Sequence, residues 1–268
     1  MNTDYLHITA VDLGIAASLI LVNVAISLAL RLELEVRWLI AGLRTVVQLV
    51  LIGYILEWVF NLRHWTLVLF ILTVMTLIAG RVSSRRSPLA YPGMAMDGLL
   101  SVWVSAWLVT AFALLVVLRV EPALDPKYAI PLMGIVLGNV LSGVALGVER
   151  VTEELQTRRD QVEMLLSLGA TRWEAFRAPA QQAVHAGMIP VINSLTVVGI
   201  VNLPGVMTGQ VLAGQTPEQA IRYQIVIMFL ISAASGLGTM CAVLLTYRRL
   251  FSADHRFCYW RLVPRPGK

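Results

Sequence analysis

Charge is scarce in this chain. Asp, Glu, Lys and Arg supply only 14% of its 268 residues, against roughly 25% in an ordinary soluble domain. The scarcity excludes a water-solvated globule as the main body of the protein. Other absences narrow the chemistry further. There are 2 cysteines, Cys241 inside an apolar run and Cys258 in the tail, which make neither a disulfide framework nor a zinc motif. No His, Asp or Glu cluster has recognisable metal-ligand spacing. There is no G-x-x-x-x-G-K-[ST] loop, so the chain has no candidate of its own for cradling nucleotide phosphates. No internal repeat and no long Pro/Gly/Ser linker is visible, so one domain over 1–268 is expected. No Lys or Arg precedes Arg31, and Asp4 and Asp12 stand in the leading segment. That pattern argues for a first membrane span over a cleaved signal peptide.

What fills the chain instead is apolar: 57% hydrophobic residues and a mean hydropathy of +0.74. Several runs approach the roughly 20 residues that a bilayer demands of a helix. The expected fold class is therefore all-α, a polytopic transmembrane helical bundle. Seven spans are expected, near 11–30, 38–60, 65–80, 98–118, 128–148, 187–208 and 220–246. The net charge of +5 is dispersed among short interhelical segments, which points to topology and away from nucleic acid.

Basic residues collect on the cytoplasmic side of membrane helices. With an outer N-terminus, seven spans put Arg31, Arg37, Arg44, Arg81, Arg85, Arg86, Arg150, Arg158, Arg159, Arg172, Arg177, Arg248, Arg249, Arg256, Arg261, Arg265 and Lys268 inside. Only Arg63, Arg119, Lys127 and Arg222 remain outside. Adding or removing one span would exchange the sides of everything downstream, so the N-out, C-in arrangement is expected. The alternating stretch 31–37 is expected to lie at the interface before the second helix. Glu57 and Asp97 fall near span ends, where a solvated carboxylate needs no functional explanation.

The longest hydrophilic stretch, 149–186, is expected to be a cytoplasmic helix-turn-helix. Glu149 to Leu168 consists of helix formers, with Val151, Leu155, Val162, Leu165, Leu166 and Leu168 on an apolar face. Gly169 supplies a left-handed terminator. Thr171 and Glu174 fit the capping box of a new helix. Exposed Trp173 and Phe176 suit either docking onto a cytosolic partner or a helix pair lying at the headgroups.

The run Glu163-Met-Leu-Leu-Ser-Leu-Gly-Ala-Thr-Arg-Trp resembles the coupling-helix signature of ABC transporter permeases. A second resemblance covers much of the chain. Asn202-Leu-Pro-Gly-Val-Met-Thr-Gly-Gln-Val-Leu-Ala-Gly and Ile221-Arg-Tyr-Gln-Ile-Val-Ile-Met-Phe carry it, supported by Arg44-Thr-Val-Val-Gln-Leu-Val-Leu-Ile-Gly-Tyr, Pro131-Leu-Met-Gly-Ile-Val-Leu-Gly-Asn and Pro190-Val-Ile-Asn-Ser. These blocks resemble the FetB-type iron-export permeases, which are related to plant permeases of aluminium tolerance. One departure is Val206, where the family commonly has the first of two adjacent Met residues. The resemblance implies a non-enzymatic permease subunit of an ABC transporter in a cell inner membrane. It further implies export of iron or another metal, a second copy of the chain, and a cytosolic ATPase that carries ATP and magnesium. In that scheme Glu163, Gly169, Ala170, Thr171, Arg172 and Trp173 dock the ATPase. No cofactor is expected on this chain, and membrane lipids surround it.

Independently of family, polar side chains inside spans face a pathway or another helix. The candidates are Arg44, Gln48, Asn139, Asn193, Asn202 and Gln210, each of which would equally serve as hydrogen-bond glue. Pro204-Gly205 interrupts an apolar run, as in the broken helices of transporters or in a plain kink. Met133, Met188, Met207 and Met228 could line a path, with Met133 and Met207 as metal candidates, although Met also fills cores. The pairs Gly205/Gly209, Gly134/Gly138 and Gly143/Gly147 permit close helix approach, including across a dimer axis. A gradient-driven transporter or channel is the rival reading; a structural subunit without transport ranks below it.

Overall fold

A computed structural model describes residues 9–62, 64–122 and 124–265. Arg63 and Lys268, both used in the charge count, lie outside the described residues. The chain divides into two compact units, the first ending at His64 and the second beginning at Trp65.

The first unit is a helical hairpin of α1 (Ala10–Leu30) and α2 (Glu35–Leu62). Thr9 and Asp12 form a capping box at the start of α1. The second helix begins within 31–37 and not after it. Arg31 and Glu33 take left-handed backbone and Glu35 already opens α2. The Ser27 hydroxyl closes this turn, accepting from the Leu34 amide at 3.1 Å and donating to Glu35 Oε2 at 3.0 Å.

The second unit contains α3 (Trp65–Ser83), α4 (Met94–Phe112, extended by a π turn over Ala113–Val117), α5 (Pro126–Thr157), α6 (Arg159–Ser167), α7 (Arg172–Val197), α8 (Gly205–Leu212) and α9 (Pro217–Leu250). Two short strands, β1 (Leu89–Ala90) and β2 (Val263–Pro264), pair antiparallel. α5 begins with Pro126 in its first turn and Asp125 as cap, whose carboxylate accepts from the Lys127 amide at 2.9 Å. Pro and a short polar acceptor suit that position because the first amides of a helix lack internal partners.

Six helices among the described residues are long and apolar enough to cross a membrane: α1, α2, α3, α4 with its π extension, α5 and α9. The protein is an all-α polytopic membrane protein. The expected span 187–208 is not a single helix. α7 stops at Val197, Val198 is extended, and Gly199 has φ +82°. Pro204, which has no amide hydrogen to continue a helix, precedes the restart at Gly205.

Packing fixes the direction of α7, which is not among those six. A Cβ on Gly143 would approach the Gly187 carbonyl, and one on Gly147 would approach that of Ala183, so α5 and α7 are antiparallel. Gly143 also faces Ser235 and Gly147 faces Val243, so α5 and α9 are parallel. Two parallel spans require the chain to return between them. α7, with 26 residues, is roughly 39 Å long at 1.5 Å per residue and makes that return.

The core is small and apolar where α4, α5, α7 and α9 meet, with Val102, Ala106, Val136, Val140, Val144 and Ala234 almost fully buried. Of the three glycine pairs, only Gly143/Gly147 lies in a tight crossing. Gly138, Gly205 and Gly209 face open space, and Gly134 has only the Met75 methyl nearby. Asp97 is not a solvated carboxylate. It is 3% exposed and receives Arg249 through Nε and Nη2 at 3.2–3.3 Å, tying the start of α4 to the end of α9.

Candidate functional site

One end of the second unit gathers the turn before α4, the end of α5, all of α6, the start of α7 and the end of α9. It carries Arg81, Arg150, Arg158, Arg159, Arg172, Arg177, Arg248, Arg249, Arg256, Arg261 and Arg265. The opposite end holds Arg119, Lys127 and Arg222.

At the basic end, the expected helix over 149–168 divides. α5 runs on to Thr157, Arg158 leaves helical geometry, and α6 is a separate helix. No Gly or Pro causes the break, which is why periodicity missed it. Arg150 and Arg158 both pair with the buried Glu154 at 2.7 Å. Arg159 pairs with Glu163 at 2.9 Å and lies 3.3 Å from the centroid of the Tyr259 ring. The Glu163 hydrogen bond, followed by weaker opposing desolvation, raises the Arg159 pKa from its ordinary value.

The turn between α6 and α7 follows the sequence expectation. Gly169 has φ +90°, and the amides of Gly169 and Ala170 reach back to the carbonyls of Leu166 and Leu165. Only glycine adopts this backbone without strain. Thr171 then caps α7: its hydroxyl accepts from the Glu174 amide while the Glu174 carboxylate accepts from the Thr171 amide at 2.7 Å. Those bonds, the backbone one first, lower the Glu174 pKa. Glu163 and Ala170 are half-buried, while Gly169 and Thr171 are exposed. Leu168 at the apex is 78% exposed, with Met164 and Trp173 also open.

The sequence reading missed what supports this turn. Residues after α9 fold back beneath it. The Arg172 amide donates to His255 Nδ1 at 2.9 Å and its guanidinium to the Ser252 carbonyl at 3.1 Å. Phe176 is fully buried within a cluster of Trp173, Tyr247 and Phe251, and Phe251 stacks on Phe257. Further along, Arg265 donates to the Ser84 carbonyl, and β2 pairs with β1. Tyr91, buried with its hydroxyl 2.9 Å from that of Thr246, has its pKa pushed well above the usual phenol range, chiefly by burial. The aromatic spacing Phe251, Phe257, Tyr259, Trp260 was the available signal.

The residues proposed from sequence for a pathway separate into groups. Arg44 and Gln48 lie exposed on α2, in the first unit. Asn139, half-buried on α5, donates to the Ile135 carbonyl of its own helix at 2.9 Å. Asn193 is exposed on α7, and Gln210 is half-buried on α8. Asn202 closes the loop after α7, its carbonyl accepting from Gly199. Met133 is fully buried, and its sulfur accepts a hydrogen bond from the Thr110 hydroxyl at 3.4 Å.

Pro204 and Met207 do converge. With Leu195, Gln224, Met228 and Phe229 they line a cavity of about 630 Å³ between the broken segment and α9. Gln224, absent from the sequence-based candidates, is 6% exposed, and its Oε1 has no hydrogen-bond partner. Its signal was a lone amide in the apolar run 221–231. Among the described residues no group of three or more His, Cys, Asp or Glu side chains could hold a metal ion.

Residues 10–251 match the model of the uncharacterised protein family UPF0014. The chain is 37% identical to the UPF0014 membrane protein slr1647 of Synechocystis, over 82% of this chain and 85% of the relative. It is 29% identical to the probable iron export permease protein FetB of Escherichia coli, over 96% and 97%. It is also 29% identical to the protein ALUMINUM SENSITIVE 3 of Arabidopsis thaliana, over 90% and 88%. No solved structure matches the chain.

Proposed function

Because the chain belongs to the UPF0014 family, whose model matches almost its whole length, we propose that it is the transmembrane permease subunit of an ABC transporter. Its cargo is iron or another metal, exported across a cell inner membrane. The observation that carries the reading is the α6–α7 turn. An apolar apex of Leu168 and Met164 stands exposed beside Glu163, on a turn closed by Gly169 and a full capping box. An exposed apolar apex on a rigidly closed turn suits insertion into a groove of another protein.

Two copies of the chain and two ATPase subunits make up the assembly, with ATP and magnesium held by the ATPases. The open faces at Gly138 and at Gly205/Gly209 leave room for a second copy. The basic end of the second unit faces the cytoplasm, in keeping with the positive-inside rule, so the C-terminus is inside. Force on α6 passes to α7 through the turn and to α9 through the Phe176 cluster. Closure of the ATPases thereby shifts the balance between inward-facing and outward-facing states.

The test is co-purification of the partner ATPase with Leu168→Asp, Glu163→Lys and Gly169→Trp variants in nanodiscs. Loss of the partner with unchanged thermal unfolding supports the docking assignment. Full retention by all three removes it and favours the gradient-driven alternative.

A further inference from the structure

A groove of about 600 Å³ runs along α7 and α9 from the basic end of the second unit. Its lining changes in layers. Trp173 and Arg177 stand at the basic end, Gln181 and His185 follow one and two turns deeper, and Met188, Ile192 and Met240 make the far part apolar. Leu244 also lines the groove, and Arg248 comes one turn later on the same face of α9. Ala180 and Val243, both buried, form the floor.

Arg177 and Arg248 are exposed, and neither has a carboxylate partner among the described residues. Arg249, next along α9, is instead held by Asp97. Two guanidinium groups on neighbouring helices without a counter-ion suit a phosphate. The side chains of Gln181 and His185 likewise make no hydrogen bond among the described residues. Helical side chains lean toward their own N-terminus, which on α7 is the basic end, so both donors are aimed at the level just below Arg177.

The distances decide what fits. Arg177 and Ile192 are roughly 22 Å apart along α7 at 1.5 Å per residue, and one leaflet with its headgroups is about 20–22 Å thick, half of a whole bilayer. Gln181 falls roughly 6 Å below Arg177, and each headgroup layer is about 5–7 Å thick. The groove therefore offers charge, hydrogen-bond donors and apolar surface in the order and over the length in which a phospholipid presents phosphate, ester carbonyls and acyl chain. Its open side leaves the rest of the lipid in the bilayer.

We propose that this groove holds one anionic phospholipid. The phosphate sits between Arg177 and Arg248, the ester oxygens accept from Gln181 and His185, and one acyl chain lies over Met188, Ile192 and Met240. Trp173 is at headgroup level, where Trp is enriched. A zwitterionic lipid is disfavoured because its own cation meets the two arginines. The inference goes beyond the permease reading and needs only that the chain spans a membrane.

The probes are phosphatidylglycerol and phosphatidylcholine carrying the same diazirine-bearing acyl chain. Each is added at low mole fraction to the full chain in phosphatidylcholine nanodiscs, and labelled peptides are mapped by mass spectrometry. The exposed apolar face of Leu77, Ile78 and Val82 on α3, beside Arg81 at the same basic end, is the internal control. One basic residue near the membrane surface is worth about fivefold in attraction of anionic lipid. With two in the groove against Arg81 at the control, the glycerol-to-choline labelling ratio is expected to be about fivefold higher at 177–192 and 240–244 than at 77–82. Arg177→Gln combined with Arg248→Gln, both at exposed positions, is expected to remove that excess. Equal ratios in groove and control, the result for ordinary surrounding lipid, overturn the proposal. So does a groove that neither probe labels while 77–82 is labelled, which identifies a second copy as its cover. No ATPase takes part in the assay, so failure here is distinct from failure of the permease reading, which is judged by partner-dependent ATP hydrolysis.

Discussion

Gly187 is the position where adding one methyl group should be felt most clearly. It lies on α7 at the crossing with α5 and α9. A Cβ there would sit 2.7 Å from the Gly143 carbonyl oxygen and 2.6 Å from the Thr239 methyl. The methyl can rotate away, but the carbonyl belongs to the α5 backbone, so the two helices must separate by roughly half an ångström or more to restore van der Waals distance. Overpacking of this kind costs about 1–3 kcal/mol, while replacing glycine by alanine within a helix returns about 1 kcal/mol. Gly187→Ala is therefore expected to be destabilising by about 1 kcal/mol net, and Gly187→Leu by considerably more. Gly138→Ala, on α5 with nothing within 4 Å, is expected to be neutral or stabilising. Thermal unfolding of the three variants in one detergent measures the contrast. Equal stability of Gly187→Ala and Gly138→Ala would refute the assignment of α7 to a tight three-helix crossing.

Phe176→Ala removes a fully buried ring from the aromatic cluster and is expected to cost about 3–5 kcal/mol, with Trp173 fluorescence shifted to the red. Asp97→Asn leaves Arg249 without its ionic partner; because Arg249 is half exposed, the expected loss is about 1–3 kcal/mol, read by the same unfolding assay. Glu174 has its folded pKa below the ordinary value of 4.5. Its contribution to the α7 cap is thus present above the unfolded pKa and lost as pH falls through the folded one. Hydrogen exchange at residues 172–175 should rise over that acidic window in the native protein, and Glu174→Gln should remove the pH dependence.

Long apolar runs made the membrane helices legible, since length and hydropathy alone specify them. The capped turn at Gly169–Glu174 was equally legible, because every element of it is local. Three features were not. The break at Arg158 has no Gly or Pro to announce it, and the contact beside it, Arg159 over the Tyr259 ring, comes from far along the chain. The clamp by residues 251–265 joins segments 80 or more positions apart, such as Arg172 with Ser252 and Ser84 with Arg265. Gln224 was not among the sequence-based candidates, since only folding buries it with its Oε1 unpartnered. Pro204-Gly205 announced an interruption, but only the packing of Gly143 against Gly187 showed that α7 still carries the chain back.

The central claim is that this chain couples ATP hydrolysis by a separate subunit to passage of a metal-containing cargo. It is tested most directly by the ATPase rate of the candidate partner in proteoliposomes, with and without this chain, across iron(II), iron(III), aluminium(III) and metal-free conditions. The account predicts stimulation that requires both this chain and one metal, and that disappears in Leu168→Asp. Well-folded chain that neither binds the partner nor changes its rate under any of these conditions would contradict it.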